Sequence, residues 1–202
     1  MLIILSDAVA VKDEAQLINN LFDAGLKIFH LRKPDVEQKA IEMLLAAIDS
    51  KYHAQIALHQ YHQMAKNFGI NRLHFTEAIR TQTSNNILID LEDNGNILST
   101  SIHQVSAYAQ LPPCFNYTFF GPVFNSISKQ GYISNVGTNF KMPILKNHPK
   151  AIAVGGITAA NLSDALNMNF KGVGVLGSIW QQPVQSLEQF KSFQIAWNQT
   201  GQ

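Results

Sequence analysis

The feature that most restricts this chain is an alternation repeated eight times within 202 residues. Short apolar runs rich in β-branched and aromatic residues each lead into a longer segment with apolar residues at helical spacing. The runs are LIILSD from Leu2, KIFHLR from Lys27, QIALH from Gln55, NRLHF from Asn71, NILSTS from Asn96, FNYTFFGPVF from Phe115, KAIAVGG from Lys150 and KGVGVLGSIW from Lys171. They are apolar on both faces, as strands buried on both sides are. Eight such units predict an α/β chain closed into one parallel barrel, a single (β/α)8 TIM barrel over residues 1–202. An open doubly wound sheet is the structural alternative. It would carry a glycine-rich turn after the first strand, and "LSDAVAVKDE" there has no glycine.

The helical segments vary in strength. Leu17, Leu21 and Ala24 share one face before a stop at Gly25, and Ile41, Leu44, Leu45 and Ile48 share another. "QMAKNFG" reads as a short helix closed by Gly69. Residues 76–96 are ambiguous: Asn94-Gly95 suits a hairpin turn, and Ile87 to Leu91 suits the end of a crossover helix.

Composition narrows the function classes. A formal charge of +1 without charge runs leaves no basic face for nucleic acid and no polybasic membrane anchor. The four-residue apolar run at the start is too short for a signal peptide or a span. With one cysteine, Cys114, there is no internal disulfide. The expectation is a cytoplasmic protein with no nucleic-acid and no membrane partner. Nothing near Cys114 activates a thiol. Phe115, Tyr117, Phe119, Phe120 and Phe124 read as core packing around the sixth strand.

In a parallel barrel, chemistry gathers where the strands end and the following loops begin. After strand seven, Gly155 and Gly156 precede Thr158, placed to cap the next helix. After strand eight come Gly177 and Ser178. Exposed backbone amides at two such neighbouring turns suit a phosphate; two tight turns without a ligand are the alternative. The loop after strand six offers Ser126, Ser128 and Lys129, hydroxyls and an ammonium suited to a second phosphate or pyrophosphate, or to a solvated loop. Arg32, ending strand two, is an anion clamp or a rim ion pair. His30, His59 and His74 end strands two, three and four, and His103 follows strand five. They are candidates for proton transfer near neutral pH, or else rim residues bonded to backbone. A transition-metal site is the less favoured reading, and His53, His62 and His148 read as surface.

"HLRKP", "GPVFNSISK", "AIAVGGITAANL" and "GVGVLGSI" together resemble the thiamine phosphate synthases and the related thiazole tautomerases, in order from about Leu2 to Ile179. The resemblance implies a small (β/α)8 barrel and a homodimer. For the synthases it implies joining an aminopyrimidine pyrophosphate to a thiazole phosphate with Mg²⁺. It places Arg32 on a pyrophosphate-binding arginine, with Lys33 shifted by one from the family lysine. Ser126 and Ser128 replace threonines, Lys129 matches a lysine, Ser101 matches a serine, Gly155 and Gly156 match the thiazole-phosphate turn, and Gly177 and Ser178 cover the second phosphate turn. Where the synthases carry Asn-Asp, this chain has His59-Gln60, and Ile79 stands at the second Mg²⁺ aspartate. Mg²⁺ prefers carboxylate oxygens, so no metal ligand and no cofactor are expected, with Mg²⁺ only if synthase activity is kept through Glu77 or Asp7. The tautomerases act without metal on a thiazole carboxylate phosphate; Pro122 occupies their histidine position. The expected ligand is thus a small phosphorylated thiazole or pyrimidine, with His30, His59 and His74 as catalytic candidates. A non-catalytic barrel binding such a phosphate is the third reading.

Overall fold

The computed structural model describes residues 1–125, 134, 136, 137 and 139–201. Eight parallel strands close in sequence order: β1 (Leu2–Leu5), β2 (Phe29–Leu31), β3 (Ile56–Leu58), β4 (Arg72–Phe75), β5 (Ile97–Ile102), β6 (Phe115–Phe120), β7 (Lys150–Val154) and β8 (Val173–Val175). β8 pairs with β1, Ile3 opposite Gly174, which completes the barrel. The helices are α1 (Glu14–Asp23), α2 (Gln38–Ala47), α3 (Glu77–Gln82), α4 (Asn85–Asp93), α5 (Val105–Tyr108), α6 (Leu162–Asn167), α7 (Gly177–Trp180) and α8 (Ser186–Gln199). The (β/α)8 expectation holds. No described helix is long and apolar enough to cross a membrane.

Local expectations fare unevenly. Asn94-Gly95 ends a helix instead of turning a hairpin. The Asn94 amide donates to Asp90, and Gly95 takes φ +83°, the left-handed stop that glycine tolerates. The segment closed by Gly69 is 3₁₀ from His62 to Phe68. Thr158 does not cap α6. Its hydroxyl accepts from the Asn161 amide at 3.2 Å while the Asn161 side chain accepts from the Thr158 amide at 2.8 Å, and the helix starts one residue later. His53 is buried, with ring nitrogens at the carbonyls of Phe68, Leu45 and Ile48, so it ties α2 to the following turns.

Outward strand residues such as Phe29, Leu31, Leu58 and Phe120 pack under the helices in the main core. The barrel interior is divided. Ile3, Leu5, Ile28, Phe119 and Ile152 fill one side. Gly174 makes room there: a Cβ would stand 2.8 Å from Val154 and 3.1 Å from Leu5. The other side, from β2 to β5, is lined by His30, His59, His74 and Ser99, all buried.

Candidate functional site

Register explains why the histidines meet. His30 pairs with Ala57, and Leu58 with Leu73, so one further step along that ladder sets His59 beside His74. The period-two alternation of strands then turns all three rings inward. The rings of His59 and His74 stack at 3.9 Å with 23° between planes. His30 Nδ1 is 2.8 Å from His59 Nε2, and His30 Nε2 is 2.7 Å from the Tyr117 hydroxyl. His74 is held at both nitrogens, Nδ1 by Ser99 and Nε2 by Ser101, each at 2.9 Å. Only His59 Nδ1, among these ring atoms, is buried with no partner.

Burial favours the uncharged form of all three imidazoles. Burial pushes His30 down to about 3, with Arg72 adding to the effect. Burial also holds His59 and His74 well below the ordinary value, followed for His59 by the charges of His74, His30 and Arg32, and for His74 by those of His30, His62 and Arg32. The sequence reading gives these histidines as proton-transfer groups near neutral pH at the barrel mouth, or as rim residues bonded to backbone. The three rings instead form a buried layer beneath the strand ends, and this correction follows from their inward register.

One nitrogen from each ring lies within 4.8 Å of the others, a spacing close enough to consider a metal ion. The details favour hydrogen bonding. Nitrogens bound tetrahedrally at ~2.0–2.1 Å stand about 3.3 Å apart, and the His30–His59 pair is closer, at 2.8 Å.

The strand-two and strand-three ends carry a second correction. Lys33 is 2% exposed, and its ammonium donates to Glu14 Oε2 at 2.8 Å and to the Val9 carbonyl, with Glu14 Oε1 in ion-pair contact at 2.7 Å. The buried ammonium is thus committed to Glu14 and Val9, away from a substrate phosphate. Gln60 accepts from the Lys33 amide at 2.9 Å and donates to the Lys33 carbonyl. Both ends of its amide are spent clasping β2 to β3. Arg32 is half-buried, anchored through its backbone to Ser6. Among the described residues no carboxylate lies in ion-pair range of it.

The residues at the positions implied for Mg²⁺ do not fit that ion. Gln60 is engaged, and Ile79 has no oxygen to offer. Glu77 lies 3.5 Å from Arg80 and 4.0 Å from His103, and Asp7 accepts from the Val9 amide. A hard cation needs several converging oxygens, and these do not gather among the described residues.

The glycine turns are where the sequence places them. Gly155 and Gly156 have φ of +89° and +66°. A Cβ on Gly155 would stand 2.6 Å from Pro122, and one on Gly156 would stand 2.3 Å from the Asn125 carbonyl. The turn is therefore pressed against the start of the loop after β6. Gly177 and Ser178 open α7, and the Ser178 hydroxyl donates to the Ile157 carbonyl at 2.7 Å, joining the two turns. None of these four amides donates to a backbone carbonyl among the described residues. Ser126, Ser128 and Lys129 lie outside the described residues. Gly156→Ala should destabilise the fold by at least about 1–2 kcal/mol from the left-handed backbone alone, with more from the carbonyl clash, as read from urea midpoints. An unchanged midpoint would refute the tight packing of this turn.

Sequence reasoning treated Tyr117 and Ser99 as ordinary strand residues. Their signal was weak: a tyrosine and a serine on inward positions of β6 and β5, opposite each other in the ladder.

A closed parallel barrel with paired glycine turns after its last two strands defines the chain as a small (β/α)8 barrel. The thiamine monophosphate synthase family model matches residues 1–179, and the chain belongs to that family. The family carries a role in thiamine biosynthesis. The chain is 26% identical over 182 residues to a thiamine-phosphate synthase of Serratia proteamaculans, covering 86% of this chain and 83% of that one. It is 23% identical over 185 residues to one of Leuconostoc citreum, with 85% and 84% covered. Among solved structures, a thiamine phosphate pyrophosphorylase from Bacteroides thetaiotaomicron superposes with TM-score 0.73 at 23% identity, covering 98% and 97%. One from Pyrococcus furiosus gives 0.72 at 13%, covering 98% and 96%. At these identities the structural likeness concerns the fold.

Proposed function

We propose that the protein acts on a phosphorylated thiazole at the C-terminal face of the barrel by metal-independent proton transfer, in the manner of a thiazole tautomerase. One observation carries this reading. At the strand-three end, where a synthase carries Asn-Asp, the Gln60 amide is spent on the Lys33 backbone and the neighbouring His59 offers a buried ring nitrogen without a partner. The carboxylate position is taken by a committed amide, and the imidazole stands beside it.

In this reading the amides of Gly155, Gly156, Gly177 and Ser178 hold the phosphate. Arg32 supplies a positive charge beside it, and Ser126, Ser128 and Lys129 add anion-binding groups from the loop after β6. His59 exchanges the proton. As a neutral imidazole it can accept at one nitrogen while giving up the proton on the other, so its low pKa does not bar it. Incubating the protein with thiazole carboxylate phosphate should speed appearance of the aromatic ring absorbance. A rate equal to that of buffer rejects the proposal, and saturable calorimetric binding without turnover would then assign a non-catalytic phosphate-binding barrel. A homodimer belongs to the same reading, and sedimentation checks it.

The second reading is a diverged Mg²⁺-dependent synthase, favoured by the names of the relatives. It requires thiamine phosphate from aminopyrimidine pyrophosphate and thiazole phosphate only when Mg²⁺ is added. No product with both substrates and excess metal excludes it.

A further inference from the structure

Above the buried imidazole layer stands a fourth histidine that reaches solvent. His103 follows Ile102, the last residue of β5, and continues the inward row of Ser99 and Ser101. Its side chain is 58% exposed. The neighbouring loops on both sides hold the ring. Nδ1 lies 3.0 Å from the carbonyl of Gly121, the residue after β6. Nε2 lies 4.0 Å from Oε2 of Glu77, which opens α3 after β4.

These contacts fix the tautomer. A carbonyl oxygen only accepts, so Nδ1 carries a proton, and the neutral ring has its lone pair on Nε2. The anchor itself is rigid. A Cβ on Gly121 would stand 2.2 Å from the Val154 carbonyl, so β6 and β7 are pressed together at that residue. Among the described residues no donor meets the Nε2 lone pair. Glu77 Oε2 is an acceptor, and 4.0 Å is beyond hydrogen-bond range.

Glu77 favours the form of the ring with a second proton. Its other oxygen lies 3.5 Å from the Arg80 guanidinium, whose Nε donates to the Thr100 hydroxyl at 3.1 Å. The carboxylate is thereby held beside the imidazole, and a charge developing on the ring faces a carboxylate already in place. The ring also stands near the glycine turns. Gly121 precedes Pro122, the residue that a Cβ on Gly155 would strike at 2.6 Å. The anchor of His103 is thus one residue away from the packing contact of the strand-seven turn.

We infer that His103 is a further proton-exchanging catalytic residue, placed at the barrel mouth, with Glu77 as its positioning residue. This rests on the reading above that a phosphorylated thiazole undergoes proton transfer, and adds to it a ring that ligand and solvent both reach. The step balances between the ligand and one imidazole. Nε2 takes a proton from one ligand atom, and the electron pair left behind shifts through the conjugated bonds of the ligand to a second atom. The imidazolium, faced by Glu77, gives the same proton to that atom. His103 ends neutral, as it began, and no metal or co-reactant enters. An imidazole suits such an exchange near neutral pH.

The test compares the full chain with His103→Ala and Glu77→Gln, using thiazole carboxylate phosphate as substrate. Neither side chain is buried, so both variants should keep the wild-type urea midpoint. His103→Ala should lower kcat by about a hundredfold or more, with KM held within about threefold. Added imidazole should restore part of that kcat in His103→Ala and leave the wild type unchanged. Glu77→Gln should lower kcat by about two- to fivefold, the scale of one exposed ion pair. A long-range ¹H–¹⁵N spectrum of the wild-type rings should show neutral His103 protonated on Nδ1. Wild-type kcat in either variant, a loss confined to KM, no response to imidazole, or a neutral ring protonated on Nε2 overturns the inference. In an active wild type any of these leaves the proposed function standing. A wild type no faster than buffer rejects the proposed function and this inference with it.

Discussion

Lowering the pH from 7 to 5 should unfold this protein steeply. In the folded state His30, His59 and His74 are held without their second proton by burial, His30 down to about 3. In the unfolded chain each takes up a proton near its ordinary value of about 6.5. The unfolded state therefore binds more protons below that pH, and stability falls as pH falls. Stability is fully present above about pH 6.5 and declines until the folded pKa is reached, which for His30 lies near 3. Each such group costs about 1.4 kcal/mol per pH unit, so three together cost roughly 4 kcal/mol per unit. By pH 5 the loss is about 6 kcal/mol, comparable with the whole stability of a domain at about 5–15 kcal/mol. Glu14, whose pKa burial raises, acts in the opposite sense, but it is one group against three. Urea unfolding at pH 7.5, 6.5 and 5.5 measures the slope. A profile flat across that range would mean that the rings reach solvent in the folded state.

Replacing Lys33 with methionine should destabilise the fold by about 3–5 kcal/mol, because it leaves the Glu14 carboxylate buried without its cation. Burial already raises the Glu14 pKa against the opposing effect of Lys33, so the variant should gain stability relative to wild type as the carboxyl protonates at lower pH. The double variant Glu14→Gln with Lys33→Met removes both charges and should recover much of the loss. If Lys33 instead bound the ligand phosphate, Lys33→Met would fold as wild type and lose phosphate affinity. Chemical denaturation together with calorimetry of thiazole phosphate separates these outcomes.

The contrast between Lys33 and Arg32 shows where sequence reasoning stops. They are adjacent, both basic, and both at the end of the second strand. One residue of offset sends their side chains to opposite sides of the barrel wall. Lys33 goes outward to Glu14 on α1, and Arg32 stays near the imidazoles. Nothing in the dipeptide states which goes where. The same applies to Gln60, whose amide fits a ligand-binding role by position and is used as a clasp.

Tyr117 was hidden for a related reason. Aromatic residues alternating along a strand pack in a core, and Tyr117 does, with Phe119 and Ile152 beside it. Its hydroxyl matters only because β2, four strands from β6 on the opposite side of the barrel, brings His30 to within 2.7 Å. Such a contact comes from barrel closure, not from any local pattern.

What the sequence alone determined is the architecture and the turns. Eight apolar runs, each followed by an amphipathic segment, require a closed parallel barrel, and the Gly155-Gly156 pair after strand seven marks backbone that must adopt positive φ beside a neighbouring loop. These are local requirements, carried by hydrophobic period and by the absence of a Cβ. Which strand-end residues point inward, and what they meet there, was decided only by the tertiary structure. Register and closure place His30, His59 and His74 in one buried layer, where burial disfavours their charged form and hydrogen bonds join them to Tyr117, Ser99 and Ser101.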